Sequence, residues 1–182
     1  MSIRVKARLL RLLIQTTHEE RLEIDKEIER IAKKERISVN RVANRALRRF
    51  VDWDNAASTR GMVSVPSRVL VKLMESKTTS EARELGRWAG TQLFIPNLKA
   101  QFATPTLDQA LSAVRMLDSY GGRFGFDHKA AGKKHIVTIV QPMGENWSAY
   151  YAGCLEGIFG DYFKKHPRIS VKSTMCVCEF EN

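Results

Sequence analysis

Two groups of cations are spaced so that they can act together. The first is Ile3-Arg4-Val5-Lys6-Ala7-Arg8-Leu9, which alternates apolar and basic residues. A period of two is that of an extended strand, so Arg4, Lys6 and Arg8 share one face and the apolar residues the other. A later register, Leu10-Arg11-Leu12-Leu13-Ile14-Gln15, would instead turn Arg11, Leu13 and Gln15 outward. The second group is Arg36, Arg41, Arg45, Arg48 and Arg49, with no acid between them. Ser38 stands where a helix N-cap would precede Val39 and Asn40. The amides and dipole of such a helix start favour an anion. Both groups suit a polyanionic partner.

Other reactive side chains form weaker patterns. Cys176-Val177-Cys178 on a strand would put both thiols on one side, roughly 6.5–7 Å apart. With Cys154 and His166 they have the chemistry of a zinc site, but the expected role is that of buried structural cysteines. His128 and His135 read as surface or edge polarity. No nucleophile elbow, P-loop, zinc-protease or dinucleotide-binding pattern occurs, so neither an enzymatic activity nor a cofactor is expected. Gly121-Gly-Arg-Phe-Gly125 precedes a strand and not a helix, which argues against a phosphate cradle.

The chain has 182 residues, 43% hydrophobic and 27% charged, with a net charge of +10. That is enough for one large or two small domains, and too apolar for a disordered chain. No apolar run approaches the ~18 residues of a membrane span, and no secretory leader is legible, so a cytoplasmic location is expected. All 11 glycines and 5 prolines lie beyond residue 60. Residues 1–54 therefore read as one domain, 55–66 as a linker and 67–182 as a second domain.

Within the first domain, Thr16 and Thr17 with Glu19 and Glu20 make capping boxes that start a helix running to about Glu35. A second helix runs from Ser38 to about Trp53. Its inner face is Val39, Val42, Ala43, Ala46, Leu47 and Phe50. The second domain should hold a helix over Ser67–Ser76 and one from Thr78 to Phe94, stopped by Pro96. Another should open at Thr104-Pro105, followed by strands over 123–128 and 134–141, a helix over 144–164 and one long strand from Arg168 to Glu181. Gly153, Gly157 and Gly160, like Gly86 and Gly90, suggest close approach of another backbone.

Strand, helix, short break, helix resembles the ribbon-helix-helix family of DNA-binding proteins. The likeness rests on Ile3–Leu9, the helix end Ile28–Arg36, the break Ile37-Ser38-Val39-Asn40 and the segment Arg41–Val51. It implies that two copies pair their strands into a ribbon that enters the major groove, with Arg4, Lys6 and Arg8 reading base edges. It further implies that Ser38, Val39 and Asn40 clamp a phosphate, joined by Arg41, Arg45 and Arg48. The family often has glycine at the break, where φ is positive; here Arg36 stands there. A helix-turn-helix, with Asn40, Arg41, Asn44 and Arg45 reading bases, and a plain helical hairpin remain alternatives. The unit around Gln141-Pro-Met-Gly-Glu-Asn-Trp-Ser148 is faintly similar to V4R and haem-NO-binding sensor domains, which implies at most an effector pocket or a dimerisation unit.

The expectation is thus an α+β protein: a ribbon-helix-helix dimerisation module, a helical segment and a small antiparallel β-β-α-β domain. Its expected function is that of a homodimeric transcriptional regulator on double-stranded DNA, associated with the nucleoid. An antitoxin-like interaction protein and an RNA- or ribosome-associated protein are the alternatives.

Overall fold

A computed structural model describes residues 18–59, 61–121 and 124–182. The proposed strands at 3–9 or 10–15, and with them Arg4, Lys6, Arg8 and Arg11, lie outside the described residues. Tertiary contacts divide the chain into two units, 1–56 and 57–182.

In the first unit, α1 (His18–Glu35) is followed by α2 (Val39–Arg49). The chain stays helical through a π turn at Phe50–Asp54 into α3 (Asn55–Thr59), residues that the sequence assigned to the linker. Ala32 and Val42 are the buried hydrophobic residues described in this unit. Of the rest of the expected inner face of α2, Ala43 is half-buried, while Val39 is 45% exposed, Leu47 37% and Phe50 57%.

The second unit begins with α4 (Ser67–Glu75) and α5 (Thr79–Ala89). The Thr78 side chain caps α5 while Glu81 reaches back to the Thr78 amide, which is the expected capping box. Pro96 does not stop this helix. The backbone widens into a π turn at Gly90–Phe94 and continues as α6 (Ile95–Gln101), with Pro96 in its first turn. There the missing N–H of proline breaks no α bond. The next helix, α7 (Leu107–Met116), starts later than Thr104-Pro105 suggested, because Thr106 and Gln109 form its capping box and leave Pro105 outside.

A π turn at Leu117–Gly121 leads to strands β1 (Gly125–Ala131) and β2 (Lys134–Val140). They are joined by a tight turn in which Gly132 has φ +62°. Helix α8 (Glu145–Leu155) continues as a π-helical stretch, Glu156–Tyr162. The expected single strand from Arg168 to Glu181 is a hairpin, β3 (Arg168–Lys172) and β4 (Met175–Glu181), turning at Ser173-Thr174. The sheet is antiparallel in the order β1-β2-β4-β3, so the end of the chain reads β-β-α-β-β. One sheet face carries Val137, Ile139, Cys176, Cys178 and Phe180, packed with Leu155, Ile158 and Phe159 and with Ile95 and Leu98.

Helices α5 and α8 interlock through glycine. A Cβ on Gly86 would lie 1.9 Å from the Tyr150 carbonyl oxygen, and one on Gly153 would lie 1.9 Å from that of Arg83. Gly90 and Gly157 meet the opposing backbone at 2.6 and 2.7 Å in the same way. The seam is flanked by ion pairs, Arg83 with Glu156 and Arg87 with Asp161. Asn146 at the start of α8 donates to the carbonyls of Met74 and Lys77 at 3.1 and 2.8 Å, fixing the α4–α5 connection.

Candidate nucleic-acid interface

The turn between α1 and α2 is where the described candidate residues meet. Arg36 ends α1 with φ +55°. The Ile37 amide bonds the Ala32 carbonyl at 3.0 Å and the Arg36 amide bonds that of Lys33 at 3.4 Å. This pair of bonds is the Schellman helix stop, which ordinarily takes glycine at the left-handed position. Arginine holds it here at a strain of ~1–2 kcal/mol. The positive φ expected at the break is thus taken up by arginine.

Two residues later Ser38 starts α2. Its backbone is extended, φ −72° and ψ 150°, and its hydroxyl accepts from the Arg41 amide at 3.2 Å. No acid stands in the first turn, so no side chain there competes for an incoming anion. Ser38, Val39, Asn40, Arg41, Arg45 and Arg48 are all exposed. Arg41, Arg45 and Arg48 follow one another at helical spacing, forming a stripe ~10 Å long at 1.5 Å rise per residue.

Arg45 is already engaged. Its guanidinium makes two bonds to the Glu35 carboxylate, 2.7 and 2.9 Å, closing α2 onto the end of α1. The bonds from Arg45 hold Glu35 below the usual carboxylate range. Arg49 is similarly turned to Asp54 at 3.3 Å. Neither pairing follows the i,i+3 or i,i+4 rules from which helix ion pairs are read: the first is a tertiary contact between α1 and α2, and the second spans five residues across the π turn. A phosphate at Arg45 would have to share it with Glu35.

The side opposite the arginines is apolar and open. Val39 and Leu47 lie there on α2, followed by Phe50 at the start of the π turn, while Val51 is 71% exposed and Leu22 and Ile24 on α1 are 45% and 46% exposed.

No cluster of three or more metal-ligating side chains occurs among the described residues. Cys176 and Cys178 are buried side by side on β4, as expected, and burial pushes these thiols and that of Cys154 up to about 12. His166 is exposed. A shallow pocket of about 250 Å³ is lined by Ser67, Arg68, Val71, Lys72, Glu75, Pro142 and Met143. It lies on α4 and the β2–α8 loop and is smaller than the ~300 Å³ at which ligand sites begin.

The histidines differ from their expected role. His135 is only 8% exposed and stacks on Phe180, with ring centroids 5.2 Å apart. Its Nδ1 lies 3.0 Å from Nε2 of His128, so the two rings share a hydrogen bond across the β1–β2 hairpin. Sequence reasoning missed this pair because the two residues are diagonal and not direct partners in the register. No helix among the described residues is long and apolar enough to cross a membrane. Comparison with protein-family models and with curated proteins gave no match.

Proposed function

We propose that the chain is a sequence-specific DNA-binding regulator that acts as a homodimer. The single observation that carries this reading is the unfinished core of the first unit. Its described helices bury Ala32 and Val42 and leave Val39, Leu47, Phe50 and Val51 in water. Fully burying one such side chain is worth ~1.5–3 kcal/mol, and in this reading a second copy laid against them gains that energy. Pairing of the strand Ile3–Leu9 between the two copies would supply a ribbon with Arg4, Lys6 and Arg8 on one face. The exposed start of α2, Ser38 to Asn40, and the stripe Arg41, Arg45 and Arg48 would take the flanking phosphates. The net charge of +10 supports the same partner.

Light scattering and fluorescence anisotropy test the proposal together. The chain should be dimeric at micromolar concentration, and Phe50→Asp should make it monomeric. Changing Arg4, Lys6 and Arg8 to Ala should erase preference among duplex sequences. Changing Arg41 and Arg48 should weaken all duplexes alike and reduce the salt dependence. A monomeric parent chain, or full sequence preference in the triple variant, would defeat the reading.

A further inference from the structure

The second unit carries its own concentration of positive charge. The β1–β2 turn and the start of β2 present Lys133 and Lys134, and the loop before β3 and the start of β3 present Lys164, Lys165 and Arg168. They are distant in sequence and are brought together at one end of the sheet by Asn182. The Asn182 amide donates to the Lys133 carbonyl at 2.8 Å, and its side-chain oxygen accepts from Lys165 Nζ at 2.8 Å. The register adds Lys129, opposite Ile136, and sets Arg168 opposite Glu179. Acids answer only part of this charge: Glu179 is paired with Lys134 at 2.7 Å, Asp127 lies 3.8 Å from Lys129, and Glu181 stands opposite Lys134.

The loop is held in an unusual shape. Lys164 and His166 have φ +58° and +48°, and neither is glycine. Bonds from the Lys164 and Lys165 amides to the carbonyls of Gly160 and Phe159, 3.1 and 2.9 Å, fix the turn. Lys164 thus ends the π-helical stretch in a left-handed stop, as Arg36 ends α1, and sends the chain toward β3.

We infer that this end of the sheet is a second phosphate-backbone contact, made with duplex DNA. The identity of the polyanion rests on the function proposed above; the contact itself rests on the second unit alone. Two observations select a duplex backbone among polyanions. Single-stranded nucleic acid is held largely by stacking of bases on aromatic rings, and among the described residues no exposed aromatic side chain belongs to this surface: Phe180 is buried, and Tyr162 and Phe163 pack against the core. A membrane surface would call for apolar side chains to insert, and the exposed large apolar residue of this sheet, Val140, lies at the opposite end of β2. What remains is a set of cations on β1, β2, β3 and their flanking turns, ~14 Å from β1 to β3 at the usual strand spacing, with β4 between them carrying the acids Glu179 and Glu181. That matches the ~12 Å major groove and lets the patch touch phosphates on either side of it.

The test uses the full chain and a 30-base-pair duplex of arbitrary sequence, with affinity followed by anisotropy over a series of salt concentrations. The variant is Lys133→Gln, Lys164→Asn and Arg168→Gln together; asparagine tolerates the left-handed backbone at 164. Its thermal unfolding should match that of the parent. Each lost phosphate contact lowers the salt slope by ~0.9, so a fall of about two to three units is expected. The fall should recur when Arg41, Arg45 and Arg48 are already alanine. If the first-unit variant loses binding and the second-unit variant keeps the parent slope, this inference fails and the proposed function stands. If the second-unit variant loses slope while the first-unit variant binds like the parent, the reverse holds. A parent chain that ignores the duplex at low salt, or prefers a 30-nucleotide single strand or phosphatidylserine vesicles, overturns the inference.

Discussion

Replacing Gly86 with alanine tests the packing on which the second unit depends. The new methyl would sit 1.9 Å from the Tyr150 carbonyl oxygen, where ordinary contact begins at 3.4 Å. Neither partner can rotate away, because both belong to helix backbone. Helices α5 and α8 would have to separate by about 1.5 Å, and a gap of 0.5–1 Å already forfeits a quarter to a half of a dispersion contact. Overpacking of a core usually costs 1–3 kcal/mol, and a backbone collision lies at or beyond the upper end. Alanine returns ~1 kcal/mol of helix propensity. A net loss of roughly 3 kcal/mol is expected, with the same for Gly153→Ala, whose methyl would meet the Arg83 carbonyl. Gly160→Ala is the control: its nearest neighbour is Cδ of Pro167 at 3.3 Å, and its stability should move by less than ~1 kcal/mol. Urea unfolding by tryptophan fluorescence measures this. A Trp53→Phe background confines the signal to Trp88 and Trp147 of the second unit. If Gly86→Ala and Gly153→Ala both unfold within ~0.5 kcal/mol of the parent, the interlocked seam is wrong.

Two further outcomes follow from the geometry. Arg36→Gly should relieve ~1–2 kcal/mol of left-handed strain and lose ~0.5–1 kcal/mol to chain entropy. The balance, ~0.75 kcal/mol at its middle, should slow amide exchange over residues 37–45 about threefold to fourfold, as read by mass spectrometry, and faster exchange would contradict the Schellman stop. Burial, and then the neighbouring His135 and Arg115, hold His128 below the ordinary imidazole range against the opposite pull of Asp108 and Asp127. The unfolded chain takes up a proton near pH 6.5 while the folded one resists it, so the second unit should lose stability as pH falls below ~6.5 and level off once the folded imidazole is itself protonated. His128→Gln should flatten that dependence of the urea midpoint on pH, and an unaltered slope would rule out the histidine pair as its source.

How much of this was legible in the sequence depended on the range of the interaction. Caps are local, and Ser38 and the Thr78–Glu81 box sit where the residues said they would. The interhelical role of Gly86 and Gly153 was legible because glycine in a helix interior is otherwise unfavourable. The β3–β4 hairpin was missed although a signal existed. Inward residues are odd-numbered in Ile169 and Val171 and even-numbered in Cys176, Cys178 and Phe180, and such a change of parity requires a break between them. Pro96 misled because a proline ends a helix only if the turn before it stays α-helical. The Glu35–Arg45 pair, the His128–His135 pair and the lysines gathered around Asn182 depend on where tertiary contacts bring distant residues, and no local pattern encodes them.

The π turn at Gly90–Phe94 has a meaning of its own for how the chain tolerates change. Upstream, Ala82, Gly86 and Ala89 face the partner helix; downstream, Ile95 and Leu98 enter the core. An α-helix advances about 100° per residue, so the additional residue in this turn resets the angular phase between the two stretches. Deleting one residue there would leave an unbroken rod, yet swing Ile95 and Leu98 toward water. The length of this spacer, more than its composition, keeps the two halves of the helix in step.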